Sequence, residues 1–192
     1  MVDSVAQIEC AEDGGTTTGD GLFEYLGARR ARADRPWRWL SVTAAAADLR
    51  WMERAMALAR RCQPSRTAYS VGAVIVSADG QELASGYSRD RDPHAHAEES
   101  ALGKLAAGDP RLPAATLYST LEPCTERASR PRSCTELILA ADIGRVAIAW
   151  REPDLFVADC RGYELLTAAG VTVVELAELA GTARSVNAHL FS

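Results

Sequence analysis

Three runs in succession decide the fold: Thr116-Leu117-Tyr118-Ser119, then residues 135 to 141, then Val146-Ala147-Ile148-Ala149-Trp150. The first and last are short apolar runs bounded by turn residues, which suits buried strands, and the middle one suits a short apolar helix. Strand, helix, strand in that order needs a crossover connection, which makes the two strands parallel. Downstream, residues 163 to 169 read as a helix stopped by Gly170, and Val171-Thr172-Val173-Val174 as a last strand. Upstream, Val71-Gly72-Ala73-Val74-Ile75-Val76 and the stretch from Leu83 to Tyr87 flank Asp79-Gly80, the sequence of a hairpin turn. Between that hairpin and the central strand, residues 97 to 107 predict a helix ended by Gly108-Asp109-Pro110, with Ala101, Leu102 and Leu105 inward. Before it, Leu49, Met52, Met56 and Ala59 share one face of a helix that Thr43 can cap and Pro64 must end. The sum is an α/β fold: a mixed sheet of about five strands, an initial hairpin followed by αβαβαβ, with helices on both faces.

A chain of 192 residues suits one domain with an appended arm, and 47% hydrophobic residues supply an ample core. No apolar run reaches the ~18 residues of a spanning helix, so no membrane role is expected. The first twenty residues lack a basic stretch followed by an apolar one and do not read as a secretory signal. Five cysteines at scattered spacings in such a chain point to reduced thiols and a cytoplasmic location. A net charge of −5 argues against a dedicated nucleic-acid binder. Residues 1 to 42 form an N-terminal extension. Its polar stretch from Asp13 to Gly21 reads as partly flexible, and the run from Arg29 to Trp39 interleaves arginine with tryptophan. That run could suit base stacking and phosphate binding, but one short cluster in an acidic chain favours an arm packing its tryptophans on the domain or on a second subunit. Residues 43 to 176 then form the domain, and residues 177 to 192 a further helix and tail.

The chemistry gathers at His96-Ala97-Glu98, Pro123-Cys124 and Cys134. One imidazole and two thiols fill three corners of a zinc tetrahedron and leave the fourth for water. Each group has a bland alternative, a satisfied histidine or a buried structural thiol. What that alternative leaves unexplained is a His-x-Glu entering one helix and a Pro-Cys preceding another, with Cys124 and Cys134 both at the carboxyl end of the strands, where open α/β sheets bind ligands. One Zn2+ per chain, held by His96, Cys124 and Cys134, would acidify its water. Glu98 would take that proton, hydroxide would attack an amine-bearing ring carbon, and Glu98 would return protons to the ring nitrogen and departing ammonia. Glu122 is expected to bond backbone amides near the cysteine turn, and Cys62 and Cys160 to be packing residues.

With Val71-Gly72-Ala73-Val74 and Thr120-Leu121-Glu122-Pro123-Cys124 added, the chain from about residue 51 to 174 resembles the cytidine deaminase superfamily. Within it, the chain is most similar to the deaminase domain of riboflavin biosynthesis proteins. The most specific part runs through Cys134-Thr135-Glu136-Leu137-Ile138 to Asp142-Ile143-Gly144-Arg145-Val146, and Glu152-Pro153 and Gly162 resemble the closing segment. The resemblance implies a cytidine-deaminase-like three-layer α/β/α fold, a hydrolytic deaminase and a homodimer. The departures are local. Nine residues separate Cys124 from Cys134, one more than usual in that branch, and Glu126 stands where its loop has a histidine. Tyr69-Ser70 replaces an Asn-Pro before Val-Gly.

The expected reaction is hydrolytic deamination of a small amino-substituted pyrimidine or related heterocycle, a nucleotide included. Candidate substrate contacts are Tyr69, His94, Ala97, Ser119, Glu126, Arg127 and Arg130. Glu126 can accept from exocyclic amines, and Arg127, Arg130 and Arg132 can clamp a phosphate; a solvated loop is the alternative for all four. Two other functions stay open here. One is a nucleic-acid base deaminase using the arginine–tryptophan arm. The other is a non-catalytic interaction module stapled by zinc, which would need a fourth protein ligand such as Cys160 or His94.

Overall fold

The structure is a computed structural model that describes residues 42 to 191 apart from 154 and 157. The N-terminal stretch with its arginine–tryptophan run lies outside the described residues, as does Cys10. Helix α1 (Val42–Ala59) leads into the hairpin β1 (Gly72–Val76) and β2 (Glu82–Tyr87). Then come α2 (Ala97–Leu102), β3 (Thr116–Ser119), α3 (Cys134–Ala140), β4 (Arg145–Ile148), α4 (Gly162–Ala168) and β5 (Thr172–Glu175). A 3-10 turn, α5 (Ala180–Ser185) and a second 3-10 turn (Ala188–Leu190) follow.

The five strands form one sheet in the order β2-β1-β3-β4-β5. β1 is antiparallel to both neighbours, while β3, β4 and β5 run parallel. The crossover through α2 therefore returns β3 in the direction of β2 but steps over β1. The hairpin turns at Asp79-Gly80, where Gly80 takes φ +82 and its N–H bonds the Ser77 carbonyl at 3.0 Å. A register shift between Ile75 and Val76 absorbs the extra residue.

Strand alternation divides the core into two layers. Ala73, Ile75, Leu117, Val146 and Ile148 pack with Ala97 and Ala101 of α2, Ile138 and Leu139 of α3 and Leu166 of α4. Val74, Val76, Tyr118 and Ala147 face the other way, onto Met52, Ala55 and Met56 of α1 and Ala183 of α5. The three-layer expectation holds. Gly72 permits α1 to approach so closely: a Cβ there would lie 2.0 Å from the Ala55 carbonyl oxygen.

One polar group crosses the α1 layer. Asp48 of α1 accepts Tyr118 Oη at 2.7 Å and a two-pronged pair from Arg145, at 2.9 and 2.7 Å. All three residues are buried. Burial and the Asp48 carboxylate push the Tyr118 phenol up, so the hydroxyl stays a donor.

Helix α2 is shorter than the sequence predicts, ending at Leu102 where residues 97 to 107 were expected. Gly103 ends it with its N–H on the Glu99 carbonyl at 2.9 Å, and Lys104 and Leu105 continue as i to i−3 turns. The glycine favours this end, and Lys104 just past it bonds the Ser85 carbonyl (2.6 Å) and Asp90 (2.7 Å). Leu102 and Leu105 still pack on the core.

Candidate active site

Three segments carry the donor groups to the edge of the sheet where β3 ends and β1 begins. His96 is the residue before α2, in extended conformation, so its side chain leaves the chain just where the helix begins. Cys124 ends the segment after β3. Cys134 is the first residue of α3, whose start is closed reciprocally by Ser133 and Glu136: Glu136 N–H bonds Ser133 Oγ at 3.2 Å, and Ser133 N–H bonds the Glu136 carboxylate at 2.7 Å. His96 Nδ1 lies 3.5 Å from Cys124 Sγ and 3.4 Å from Cys134 Sγ, and the donor atoms of the three residues fall within 4.8 Å of one another.

The nine-residue loop between the cysteines is stapled at its base. Thr135 donates its hydroxyl to the carbonyls of Pro123 (3.1 Å) and Cys124 (3.0 Å), and its N–H also bonds Cys124 O at 3.2 Å. These bonds hold the backbone of the cysteine turn against the start of α3. Glu122 accepts backbone N–H groups from Tyr163 at 2.8 Å and Glu152 at 3.3 Å, which ties the segment after β4 and the start of α4 to the cysteine turn. Gly162 makes that packing possible, since a Cβ there would sit 2.1 Å from the Pro123 carbonyl oxygen.

Glu98, in the first turn of α2, is buried, and Ser119 at the end of β3 donates a hydrogen bond of 2.7 Å to its Oε1. Burial raises its pKa above the ordinary carboxylate range, against the opposing charge of His96 and the Ser119 bond. The hydrogen bond from Cys134 and the adjacent His96 draw the Cys124 thiol down, while that same shared bond and burial push Cys134 up. Burial works to lower His96, but the Cys124 thiolate outweighs it and the imidazole pKa is raised. Two sulfurs and a nitrogen so placed are a donor set zinc favours, and the residues fit the ion. Among the described residues the cluster holds these three ligands only: neither Cys160 nor His94 joins it, which leaves the pattern of a catalytic rather than a closed structural site.

A cavity of about 890 Å3 opens onto His96, Glu98 and Cys124. Tyr69, His94, Glu126 and Arg127, four of the residues singled out from sequence, line it. The other three sit elsewhere: Ala97 is in the core, Ser119 is wholly buried beneath Glu98, and Arg130 pairs with Asp92 and with Glu99 (3.3 Å). Arg132 turns to the Glu136 carbonyl at 3.3 Å. Arg127 differs from both. Its side chain is 5% exposed, its Nη2 pairs with Glu99 at 2.9 Å, and its Nε and Nη1 are buried without a partner among the described residues.

Of the lining residues that the sequence did not single out, Glu152 and Phe156 bring a carboxyl and an aromatic ring to the cavity. Burial, reinforced by the Cys124 charge, pushes the Glu152 carboxyl up to about 8. The available signal was Glu152-Pro153 directly after a strand end, and only the fold shows that this end faces the cysteines. Cys160 lies against the same turn, its Sγ 3.8 Å from the Pro123 carbonyl oxygen.

Comparisons with known proteins agree with this geometry. Residues 45 to 150 match the family model of the cytidine and deoxycytidylate deaminase zinc-binding region. The chain is 42% identical over 127 residues to diaminohydroxyphosphoribosylamino-pyrimidine deaminase of Schizosaccharomyces pombe, a match covering 65% of this chain and 31% of that protein. It is 35% identical over 149 residues to the riboflavin biosynthesis protein RibD of Aquifex aeolicus, covering 76% of this chain and 39% of that one. The chain therefore spans well under half the length of these relatives. The solved structure of Acinetobacter baumannii RibD aligns with a TM-score of 0.66 at 30% identity, over 76% of this chain and 39% of that one. With the His-x-Glu, Pro-Cys and Cys donors converging as they do, the chain belongs to the cytidine and deoxycytidylate deaminase family and carries its zinc-binding region.

Proposed function

We propose that this chain is a zinc-dependent hydrolytic deaminase of a small amino-substituted pyrimidine bearing a phosphate, akin to the diaminohydroxyphosphoribosylamino-pyrimidine named for its S. pombe relative. The observation that carries this reading is the His96, Cys124 and Cys134 cluster with buried Glu98 beside it at the floor of a cavity large enough for a nucleotide. Zinc, when bound by these three residues, supplies a Lewis acid that makes water nucleophilic near neutral pH.

The residues do the rest. Ser119 fixes Oε1 of Glu98, so Oε2 is the oxygen that exchanges a proton with water, with the ring nitrogen and with the departing amine. Overall, ring–NH2 and water give ring–OH, or its keto tautomer, and ammonia. The raised pKa of Glu98 suits a group that must hold a proton and give it back. Arg127 has two unpartnered donors on a buried guanidinium in the cavity lining, a demand that a phosphate or ring carbonyl satisfies. Glu126 and Glu152 supply polar contacts to the ring's amine and carbonyl edges, and Tyr69 and Phe156 supply its apolar faces. A homodimer in the cytoplasm belongs to the same reading and is checked by sedimentation and fractionation.

An ammonia-release screen of the zinc-loaded protein tests the proposal. Its substrates should include pyrimidine bases, nucleosides, nucleotides, phosphoribosylamino-pyrimidines and oligonucleotides. Ammonia from phosphorylated pyrimidines and none from oligonucleotides is expected. Ammonia only from oligonucleotides would move the assignment to nucleic acid, and zinc binding with no ammonia from any of them would leave an interaction module.

A further inference from the structure

One wall of the cavity is built by the loop between α1 and β1, which contributes Ser65, Thr67 and Tyr69 among others. Besides the local contacts of Thr67 with Ser65 and of Cys62 Sγ with the Val71 carbonyl, side chains from elsewhere hold this loop. We propose that Asn187, which follows α5 and lies 117 residues away from Ser70, is the positioning residue that fixes this wall. The proposal rests on the reading of that cavity as the substrate site.

Asn187 is 2% exposed. Its Oδ1 accepts the Ser70 N–H at 2.7 Å and its Nδ2 donates to the Ser70 carbonyl at 3.1 Å. The side-chain amide thus pairs with both polar groups of one residue as a neighbouring strand would. Ser70 is the residue directly after Tyr69, whose ring lines the cavity and whose hydroxyl is buried with no partner among the described residues. Further contacts fasten the same wall from two sides. From the β2 side, Arg89 Nη1 donates to the Tyr69 carbonyl at 3.2 Å. From the Asn187 side, His189 Nε2 meets the Ser65 carbonyl at 2.9 Å, and Phe191 packs edge-on against Trp150 at 6.0 Å, which packs on Tyr69 at 5.7 Å.

Without Asn187 the buried N–H and C=O of Ser70 lose their partners, and the loop must move to rehydrate them. Tyr69 moves with it. The candidate metal ligands and Glu98 hang on α2, α3 and the cysteine turn, to which Asn187 makes no hydrogen bond. Substrate binding should therefore suffer and the chemical step should not.

The test compares wild type with Asn187→Ala and with His189→Ala, an exposed substitution that removes the Ser65 contact and carries little folding risk. Amide hydrogen exchange of the free, zinc-loaded protein should be about tenfold faster over residues 65 to 70 in Asn187→Ala, with the β1 amides unchanged. His189→Ala should move the same amides by less. With diaminohydroxyphosphoribosylamino-pyrimidine as probe, KM should rise about tenfold for Asn187→Ala while kcat stays within about threefold. Unchanged exchange in both variants overturns the clamp. Faster exchange with an unmoved KM, or a lowered Tm alone, overturns its role in positioning. If the wild type releases no ammonia from the probe, it is the substrate reading that has failed, and the exchange data still decide whether Asn187 holds the wall.

Discussion

Glu98, buried, and Glu152, partly buried, show how differently two carboxyls of one site can act. Glu98 is held at one oxygen by Ser119 and lies in the first turn of α2, close to the His96, Cys124 and Cys134 cluster. Glu98→Gln keeps the shape and the Ser119 contact but carries no exchangeable acid proton. Turnover should fall about a thousandfold or more with zinc content unchanged, measured by ammonia release and metal analysis on the same sample. Near-normal turnover in a metal-replete variant would remove Glu98 from the chemistry. Glu152 is a titration matter. Its carboxyl sits at about 8 in the fold against 4.5 for an ordinary glutamate in the unfolded chain, so the native state binds the extra proton between those values. Its stabilising contribution is full below about pH 4.5 and is lost as pH rises towards 8. Glu98 and Glu122 shift in the same direction, and Glu152→Gln isolates one share of the slope. Urea midpoints of the zinc-free protein should decline less steeply from about pH 5 to 8 in this variant than in wild type. Equal slopes would mean that Glu152 ionises normally.

At the scale of elements, the Asp48, Tyr118 and Arg145 group is a buried polar seam in a largely apolar contact between α1 and the sheet. Removing the carboxylate strands a buried guanidinium and a phenol. Asp48→Ala should cost about 3–5 kcal/mol of stability by denaturant unfolding, far more than a surface ion pair such as Arg151 with Glu164. A loss below about 1 kcal/mol would show that Arg145 finds water. How much of the elements could be read in advance follows from the same packing. The five strands and the helices between them were legible because each carries a short apolar run with clear stops, and both faces of the sheet are covered. The early end of α2 was not legible. Its apolar residues continue past Leu102, and the Lys104 bonds to Ser85 and Asp90 just past its end are seen only in the fold.

For the whole molecule, the His96, Cys124 and Cys134 cluster joins α2, the turn after β3 and α3, and the Glu122 bonds extend that junction to α4. Zinc bound here would stabilise the folded state by mass action. Stripping it with a chelator should abolish ammonia release and lower Tm by about 10 °C, with both restored by added zinc. An unchanged Tm in the stripped protein would mean that the three side chains hold their arrangement unaided. The sequence by itself determined the α/β class and the candidate donors His96, Cys124 and Cys134, with Glu98 beside them. These are local signals, since a turn, a helix start or a His-x-Glu is written in neighbouring residues. Only the tertiary structure decided which polar residues share the cavity. It brought Glu152 and Phe156 in, turned Arg130 and Arg132 towards their own chain, left Arg127 with donors to spare, and set Asn187 against Ser70. Those outcomes depend on where strand ends meet in space, and no residue type or short spacing encodes that meeting.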